Sequence, residues 1–111
     1  MSKIALIVRH KAKSGRRDEL RAVWERFIKP NVLQNPEHLA YYFNYDQDDQ
    51  DVVIAFQIFS SVQAKDEFLK SEWYPEYIRQ VSDYIVDPPN ITTASLLWSK
   101  NDEETEDGRE N

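Results

Sequence analysis

The chain has 111 residues, a formal net charge of −6 and no cysteine. This length accommodates one domain with one hydrophobic core. The absence of cysteine excludes disulfide bonds, thiolate metal sites and a catalytic thiol. No stretch reaches the roughly 18 consecutive apolar residues of a membrane span, and the first residues show no signal-peptide pattern. We therefore expect a soluble, cytoplasmic protein that does not bind membranes.

The negative charge is concentrated at the C-terminal end of the chain. Residues 100–111 contain six acidic side chains, two basic ones and no hydrophobic residue, for a net charge of −4. The other 99 residues contain 14 acidic and 12 basic side chains, for a net charge of −2. We predict a folded domain over residues 1–99 and an acidic disordered tail over 100–111. The nearly balanced domain offers no basic surface for nucleic acid.

The first third of the chain predicts a strand followed by a helix. Residues 3–13 alternate as a strand that is apolar on both faces. In the next segment, apolar residues recur at helical spacing from Leu20 to Ile28. Ser14 is a plausible N-cap of this helix, and Pro30 is expected to end or kink it.

The remaining elements follow the same kind of signals. Residues 39–45 and 52–59 predict two strands joined by an acidic turn, with Leu39 and Tyr41 on one face of the first. A second helix follows a cap at Ser60 or Ser61 and is interrupted at Pro75, and residues 91–98 predict the last strand. This order predicts an α+β, ferredoxin-like β-α-β-β-α-β fold with an antiparallel four-stranded sheet.

The apolar character of both strand faces predicts association. In the first strand, Ile4, Leu6 and Val8 point one way, whereas Ala5 and Ile7 point the other way. Two helices cover only one face of a four-stranded sheet, so the other face would expose a larger apolar patch than monomers usually carry. We therefore predict a homodimer in which the two open sheets pack together, since closed two-fold pairs are the commonest arrangement.

Four segments of the chain carry a recognisable pattern: the end of the first strand, Lys11-Ala12-Lys13-Ser14-Gly15-Arg16, then Asn35-Pro36-Glu37-His38-Leu39-Ala40-Tyr41, Phe56-Gln57-Ile58-Phe59-Ser60-Ser61 and Ser71-Glu72-Trp73. Together these segments resemble the antibiotic biosynthesis monooxygenase family of dimeric α/β-barrel proteins. The resemblance covers about residues 3–99. It implies pairing into a dimeric α/β barrel. The family includes cofactor-independent oxygenases acting on quinols and polyketide phenols, haem-degrading enzymes, and proteins without an assigned activity.

Three positions depart from the pattern of this family. Val8 stands where haem-degrading members carry Asn, Phe59 stands where they carry Trp, and Phe68 stands where a His is often found. These differences disfavour haem degradation. The resemblance then implies a cofactor-independent monooxygenase acting on a small aromatic or quinol-type substrate. The alternative is a non-catalytic homodimer of the same fold that binds a small ligand.

The oxygenase hypothesis requires a base and an aromatic pocket. The candidate catalytic residues are Tyr41, His10 and His38, although an isolated histidine on a strand or turn is more often structural. No pair of histidines has the spacing of metal ligands, so we predict neither a metal nor a cofactor. The predicted substrate-binding residues are Trp24, Asn44, Phe59, Phe68, Trp73 and Tyr77. Aromatic residues at helical spacing also suit a core, and both interpretations stay open.

Overall fold

The computed structural model describes residues 2–102, which form a four-stranded sheet with three helices of eight or more residues packed on one face. The elements in chain order are β1 (Ile4–Lys11), α1 (Arg17–Leu33), β2 (His38–Tyr45), β3 (Val52–Phe59), α2 (Val62–Leu69), α3 (Tyr74–Ser82) and β4 (Asn90–Ser95). All neighbouring strands are antiparallel, in the order β2-β3-β1-β4. The predicted α+β fold and antiparallel four-stranded sheet are confirmed. Of the predicted acidic tail, residues 103–111 lie outside the described part of the chain.

Helix α1 differs from its prediction at both ends. Its N-cap residue is Arg16, which makes no side-chain capping bond, so Ser14 does not cap the helix. Pro30 lies inside the helix, which continues to Leu33. A proline removes only one backbone hydrogen bond, and this one lies near the C-terminal end of the helix. Leu20 and Ile28 lie on either side of the centre of the helix, and both are buried. Their packing keeps both halves of the helix against the sheet.

The second predicted helix is divided into α2 and α3. Ser61 Oγ accepts a hydrogen bond from the Ala64 backbone N–H at 3.0 Å, which confirms the predicted cap. Helix α2 ends at Leu69, and Pro75 lies in the first turn of α3. Because a proline in the first turn leaves no hydrogen bond unmade, Pro75 begins a helix here. The break itself lies at residues 70–73.

A β-bulge at the start of β2 decides which of its side chains face the helices. His38 pairs with Phe59 and Ala40 pairs with Ile58, so that Leu39 is an extra residue in β2. As a result, His38 lies on the same face as Tyr41, and Leu39 is 48% exposed. The prediction that Leu39 shares the Tyr41 face is wrong, because the bulge shifts the strand alternation by one residue.

The last strand is shorter than predicted and lies at an edge of the sheet. Strand β4 ends at Ser95, pairs only with β1, and has every residue exposed. The chain then runs from Leu96 to Asp102 across the opposite face from the helices. This segment and the sheet bound a cleft of about 550 Å³ whose wall includes Tyr42, Phe56 and Trp98.

The two faces of the sheet are therefore distinct. We call the side beneath α1, α2 and α3 the helix-covered face; it carries Leu6, Val53 and Phe59, which belong to the main hydrophobic core. We call the other side the open face. It carries apolar side chains from three strands, of which several are only partly buried: Ile7, Tyr42, Ile54 and Phe56.

Candidate functional site

A cavity of about 40 Å³ lies between the helix-covered face and the helices. Strands β1, β2 and β3 form its floor, and α1, α2 and α3 form its walls. Most of the lining is aliphatic or aromatic, and no Asp, Glu, Lys or Arg side chain of residues 2–102 takes part. The lining side chains with polar atoms are His10, Trp24, Tyr41, Gln57, Tyr74 and Tyr77. An apolar enclosure with a few polar groups is typical of a site for a small organic molecule.

The structure brings five of the nine predicted site residues to the wall of this cavity: His10, Trp24, Tyr41, Phe68 and Tyr77. They come from β1, α1, β2, α2 and α3 respectively. Residues that are far apart in the chain therefore converge on one enclosed space.

Phe59 and Trp73 pack behind the cavity wall. Phe59 is fully buried, and its ring centroid lies 4.1 Å from that of His38. The Trp73 ring meets Phe68 edge-on at 5.4 Å. Both side chains shape the cavity through the residues in front of them, which corresponds to the core interpretation of these aromatics.

Asn44 is not part of the cavity. It lies on the open face, where its side-chain amide donates to the backbone oxygens of Tyr42 at 3.2 Å and Ile54 at 2.9 Å. These two bonds tie β2 to its own backbone and to β3. The substrate-binding role predicted for Asn44 does not agree with this placement, because strand alternation directs it away from Tyr41.

Tyr41 and Trp24 form a hydrogen-bonded pair in the cavity wall. Trp24 Nε1–H donates to the Tyr41 hydroxyl oxygen at 2.9 Å, and the Trp24 ring stacks on Phe43 at 4.2 Å. Burial raises the pKa of Tyr41 above its usual value, although the bond from Trp24 acts in the opposite direction. A phenol acts as a base only when it is ionised, so Tyr41 is neutral at neutral pH and cannot remove a proton there.

Two further tyrosines, Tyr74 and Tyr77 of α3, complete this side of the cavity. Burial raises the pKa of both phenols, so they too are neutral at neutral pH. Together with Tyr41 they place neutral phenol groups in the cavity lining.

His10 has the properties of a proton acceptor. The residue is 7% exposed, and its Nδ1 atom is buried without a hydrogen-bond partner among residues 2–102. Burial lowers the pKa of His10 to about 4, since the surroundings disfavour the charged imidazolium. At neutral pH the ring is therefore uncharged, and one of its nitrogens carries a lone pair.

His38 contacts Gln57, and both of its ring nitrogens take part in hydrogen bonds. Its Nδ1 lies 2.9 Å from Asn35 Nδ2, and its Nε2 lies 2.8 Å from Gln57 Oε1. Burial lowers the pKa of His38, while the bond to Gln57 acts in the opposite direction. With neither nitrogen free, His38 is a poor candidate for the base.

Gln57 is a cavity residue that was not among the predicted ones. It lies on β3 opposite Leu6 of β1 and Tyr41 of β2, and it is 5% exposed. The signal in the sequence is a single amide side chain within the otherwise apolar strand from Val52 to Phe59. A polar residue that faces a core is buried only with a partner or a role.

Residues 2–102 contain neither a metal-ligand cluster nor a membrane-spanning helix. No group of three or more His, Asp or Glu side chains there is arranged to hold a metal ion. No helix in the same range is long and apolar enough to cross a membrane.

The fold matches solved structures over most of the chain. The Rv0793 protein of Mycobacterium tuberculosis has a TM-score of 0.79 at 25% identity, over 89% of this chain and 99% of that one. A proposed antibiotic biosynthesis monooxygenase of Caulobacter crescentus has a TM-score of 0.80 at 12% identity, over 87% and 92%. One from Nitrosomonas europaea has a TM-score of 0.78 at 12% identity, over 86% and 91%. No family model and no curated protein matches the sequence. The resemblance to this family is confirmed at the level of the fold.

Proposed function

We propose that the protein is a cofactor-independent monooxygenase that binds a small phenol or quinol in the cavity and oxidises it with dioxygen. The observation that carries this proposal is His10, a neutral, buried imidazole with an unpartnered Nδ1 in the wall of an uncharged cavity. The fold shared with proposed antibiotic biosynthesis monooxygenases supports the same conclusion.

In this reaction His10 accepts the acidic proton of the bound substrate, and the resulting electron-rich anion reacts with dioxygen itself. With an anthrone as substrate, the ring CH₂ becomes C=O and one molecule of water is released, so that no further reductant is needed. A base with a pKa near 4 accepts a proton weakly. The site therefore favours substrates whose anions are strongly delocalised. The uncharged walls hold the substrate and exclude water.

Substrate binding requires the cavity to enlarge. Its volume of about 40 Å³ is room for about three water molecules, whereas an apolar cavity of about 150 Å³ holds benzene. Leu69 and Tyr74 line the cavity and flank the break between α2 and α3. Because residues 70–73 belong to neither helix, outward movement at this break disturbs little regular structure. We propose that the substrate enters by displacing Leu69 and Tyr74.

Oxygen consumption with a panel of hydroquinones and anthrones tests the proposal. We expect turnover above the buffer rate in the wild type and a loss of about 10²–10⁴-fold in His10→Leu, because proton transfer contributes about this much. Glu76→Gln, on the exposed surface of α3, serves as the control and should keep the wild-type rate. Binding of these compounds without any oxygen uptake would support the non-catalytic alternative instead.

We further propose that two copies pair through their open faces. Apolar side chains from β1, β2 and β3 remain partly exposed there, and Tyr42 is 60% exposed. A second sheet packed over this face would bury such a patch. Sedimentation equilibrium at micromolar concentration should show a dimer for the wild type and a monomer for Phe56→Glu. A wild type that sediments as a monomer would contradict this pairing.

A further inference from the structure

We infer that Gln57 determines the specificity of the cavity, by donating a hydrogen bond from its side-chain amide to an oxygen acceptor on the ligand. His38 is the positioning residue that holds this amide in place. The inference rests on the proposed function, which places the ligand in the cavity. It adds that the Gln57 amide selects among ligands by their oxygen acceptors.

A short chain of hydrogen bonds sets the orientation of the amide. The Glu37 backbone N–H donates to Asn35 Oδ1 at 3.1 Å, so the Asn35 amide nitrogen must be the atom that faces His38. That nitrogen can only donate, which makes His38 Nδ1 an acceptor. A neutral imidazole with an acceptor at Nδ1 carries its hydrogen on Nε2. His38 Nε2–H then donates to Gln57 Oε1 at 2.8 Å.

This arrangement leaves the amide nitrogen of Gln57 as a donor without a partner. The carboxamide oxygen is taken by His38. No hydrogen bond from Gln57 Nε2 is found among residues 2–102, although the residue is only 5% exposed and lines the cavity. An amide N–H that lines the cavity without a protein partner is satisfied when the ligand brings an acceptor. A carbonyl or phenolate oxygen is such an acceptor, whereas a hydrocarbon is not.

Packing holds the His38 ring in the orientation that this series of hydrogen bonds requires. Its ring lies 4.1 Å from that of Phe59 and 4.5 Å from that of Phe68, between centroids. The β-bulge at Leu39 brings the ring to this face. His38 is therefore confined by two aromatic rings and by two hydrogen bonds. Because one of these bonds is to Gln57 Oε1, His38 also restricts the orientation of the Gln57 amide.

Gln57 and His10 line different parts of the cavity wall. Gln57 is paired with Leu6, and His10 lies farther along β1 on the same face. At about 3.3 Å per residue, the backbones at these two positions of β1 are separated by about 13 Å. The recognition of a ligand oxygen by Gln57 is therefore tested separately from the chemistry of His10.

The test compares 1-indanone with indane, which have nearly the same shape but differ in one carbonyl oxygen. Binding is followed through tryptophan fluorescence, since Trp24 lines the cavity. We expect the wild type to bind 1-indanone about tenfold more tightly than indane. Gln57→Leu should abolish this preference, or reverse it, without weakening the binding of indane. Gln57→Met, which keeps the length of the side chain without the amide, is the second variant if Gln57→Leu does not fold.

The role of His38 has its own readout. His38→Phe keeps a ring between Phe59 and Phe68 but removes the bond to Gln57, so the preference for 1-indanone should fall about threefold or more. His38→Gln restores an N–H donor and should recover part of the preference. A role in packing alone would leave the ratio of affinities unchanged in His38→Phe.

Equal affinities of the wild type for the two ligands, failure to bind either, or an unchanged preference in Gln57→Leu would overturn the inference. The outcome is separable from that of the proposed function. A clear preference for 1-indanone without oxygen consumption removes only the oxygenase reaction. Oxygen consumption without such a preference removes only the role of Gln57.

Discussion

The helix-covered face and the open face are built by the same strands, yet among residues 2–102 the helices cover only the first. On the helix-covered face, Phe59 is fully buried, and His38, Tyr41 and Gln57 are held by specific hydrogen bonds. On the open face, apolar side chains of the same strands stay partly exposed. Apolar composition is thus similar on both sides. The helices cover one side, which holds the proposed ligand cavity, and the other side is the surface that we propose for association.

Two Phe-to-Ala variants on β3, one on each face, should show the largest difference between the faces. Phe59→Ala removes a fully buried ring and should lower the free energy of unfolding by about 3–5 kcal/mol. Phe56→Ala, on the open face, removes a partly exposed ring and should lower it by about 1 kcal/mol. Urea denaturation at several protein concentrations measures both. If the open faces pair, the effect of Phe56→Ala grows with concentration, whereas that of Phe59→Ala does not. Similar losses for both variants in dilute protein would contradict the comparison.

The pH dependence of stability should report on His10. The pKa of His10 is lowered to about 4 in the folded protein from its usual value of 6.5, so the unfolded chain binds the proton first as the pH falls. Above pH 6.5 His10 is neutral in both states and does not lower the free energy of unfolding. Between pH 6.5 and 4 it is protonated in the unfolded chain only, so the free energy of unfolding falls by about 3 kcal/mol over this range. Other groups also titrate in this range, so the measured quantity is the difference between wild type and His10→Leu. A difference that is independent of pH would show that His10 titrates normally.

The bond between Trp24 and Tyr41 should have a smaller effect. Tyr41→Phe leaves the partly buried Trp24 Nε1–H without its acceptor, which should destabilise the protein by about 1–2 kcal/mol. In a Trp24→Phe background the same change should be less harmful, because the bond is already absent. A double-mutant cycle by urea denaturation measures this coupling. A coupling energy near zero would mean that the bond contributes nothing to stability.

The smallest effect is expected on the open face at Asn44. Its amide bonds to backbone oxygens are solvent-exposed, so Asn44→Ala should change the free energy of unfolding by about 0.5 kcal/mol or less. The affinity for 1-indanone should be unchanged, because Asn44 does not face the cavity. Weaker ligand binding in Asn44→Ala would show that the two faces communicate.

Local signals in the sequence were sufficient for much of the fold. The alternation of β3 predicts residues 52–59, which are its bounds in the structure. The helix cap at Ser61 also follows from a local preference. Strand periodicity places Tyr41 beneath α1, and helical periodicity directs Trp24 towards the sheet, so five of the predicted site residues reach the cavity.

The strand register and the contacts of the polar side chains could not be predicted in the same way. Strand alternation in the sequence separates His38 from Tyr41, and only the bulge at Leu39 brings them to one face. The contact of Gln57 with His38 is not predicted either, because a lone amide in an apolar strand does not show which residue it will meet. The full exposure of β4 was likewise not predicted, since its apolar residues suit a covered strand.

The sequence by itself determined the order of strands and helices and the apolar character of both sheet faces, because periodicity and capping depend on neighbouring residues. Only the tertiary structure decided how the polar groups of the cavity are joined. His38 and Gln57 are 19 residues apart, and Trp24 and Tyr41 are 17 residues apart. Such contacts depend on strand register and helix placement, which the whole chain sets together.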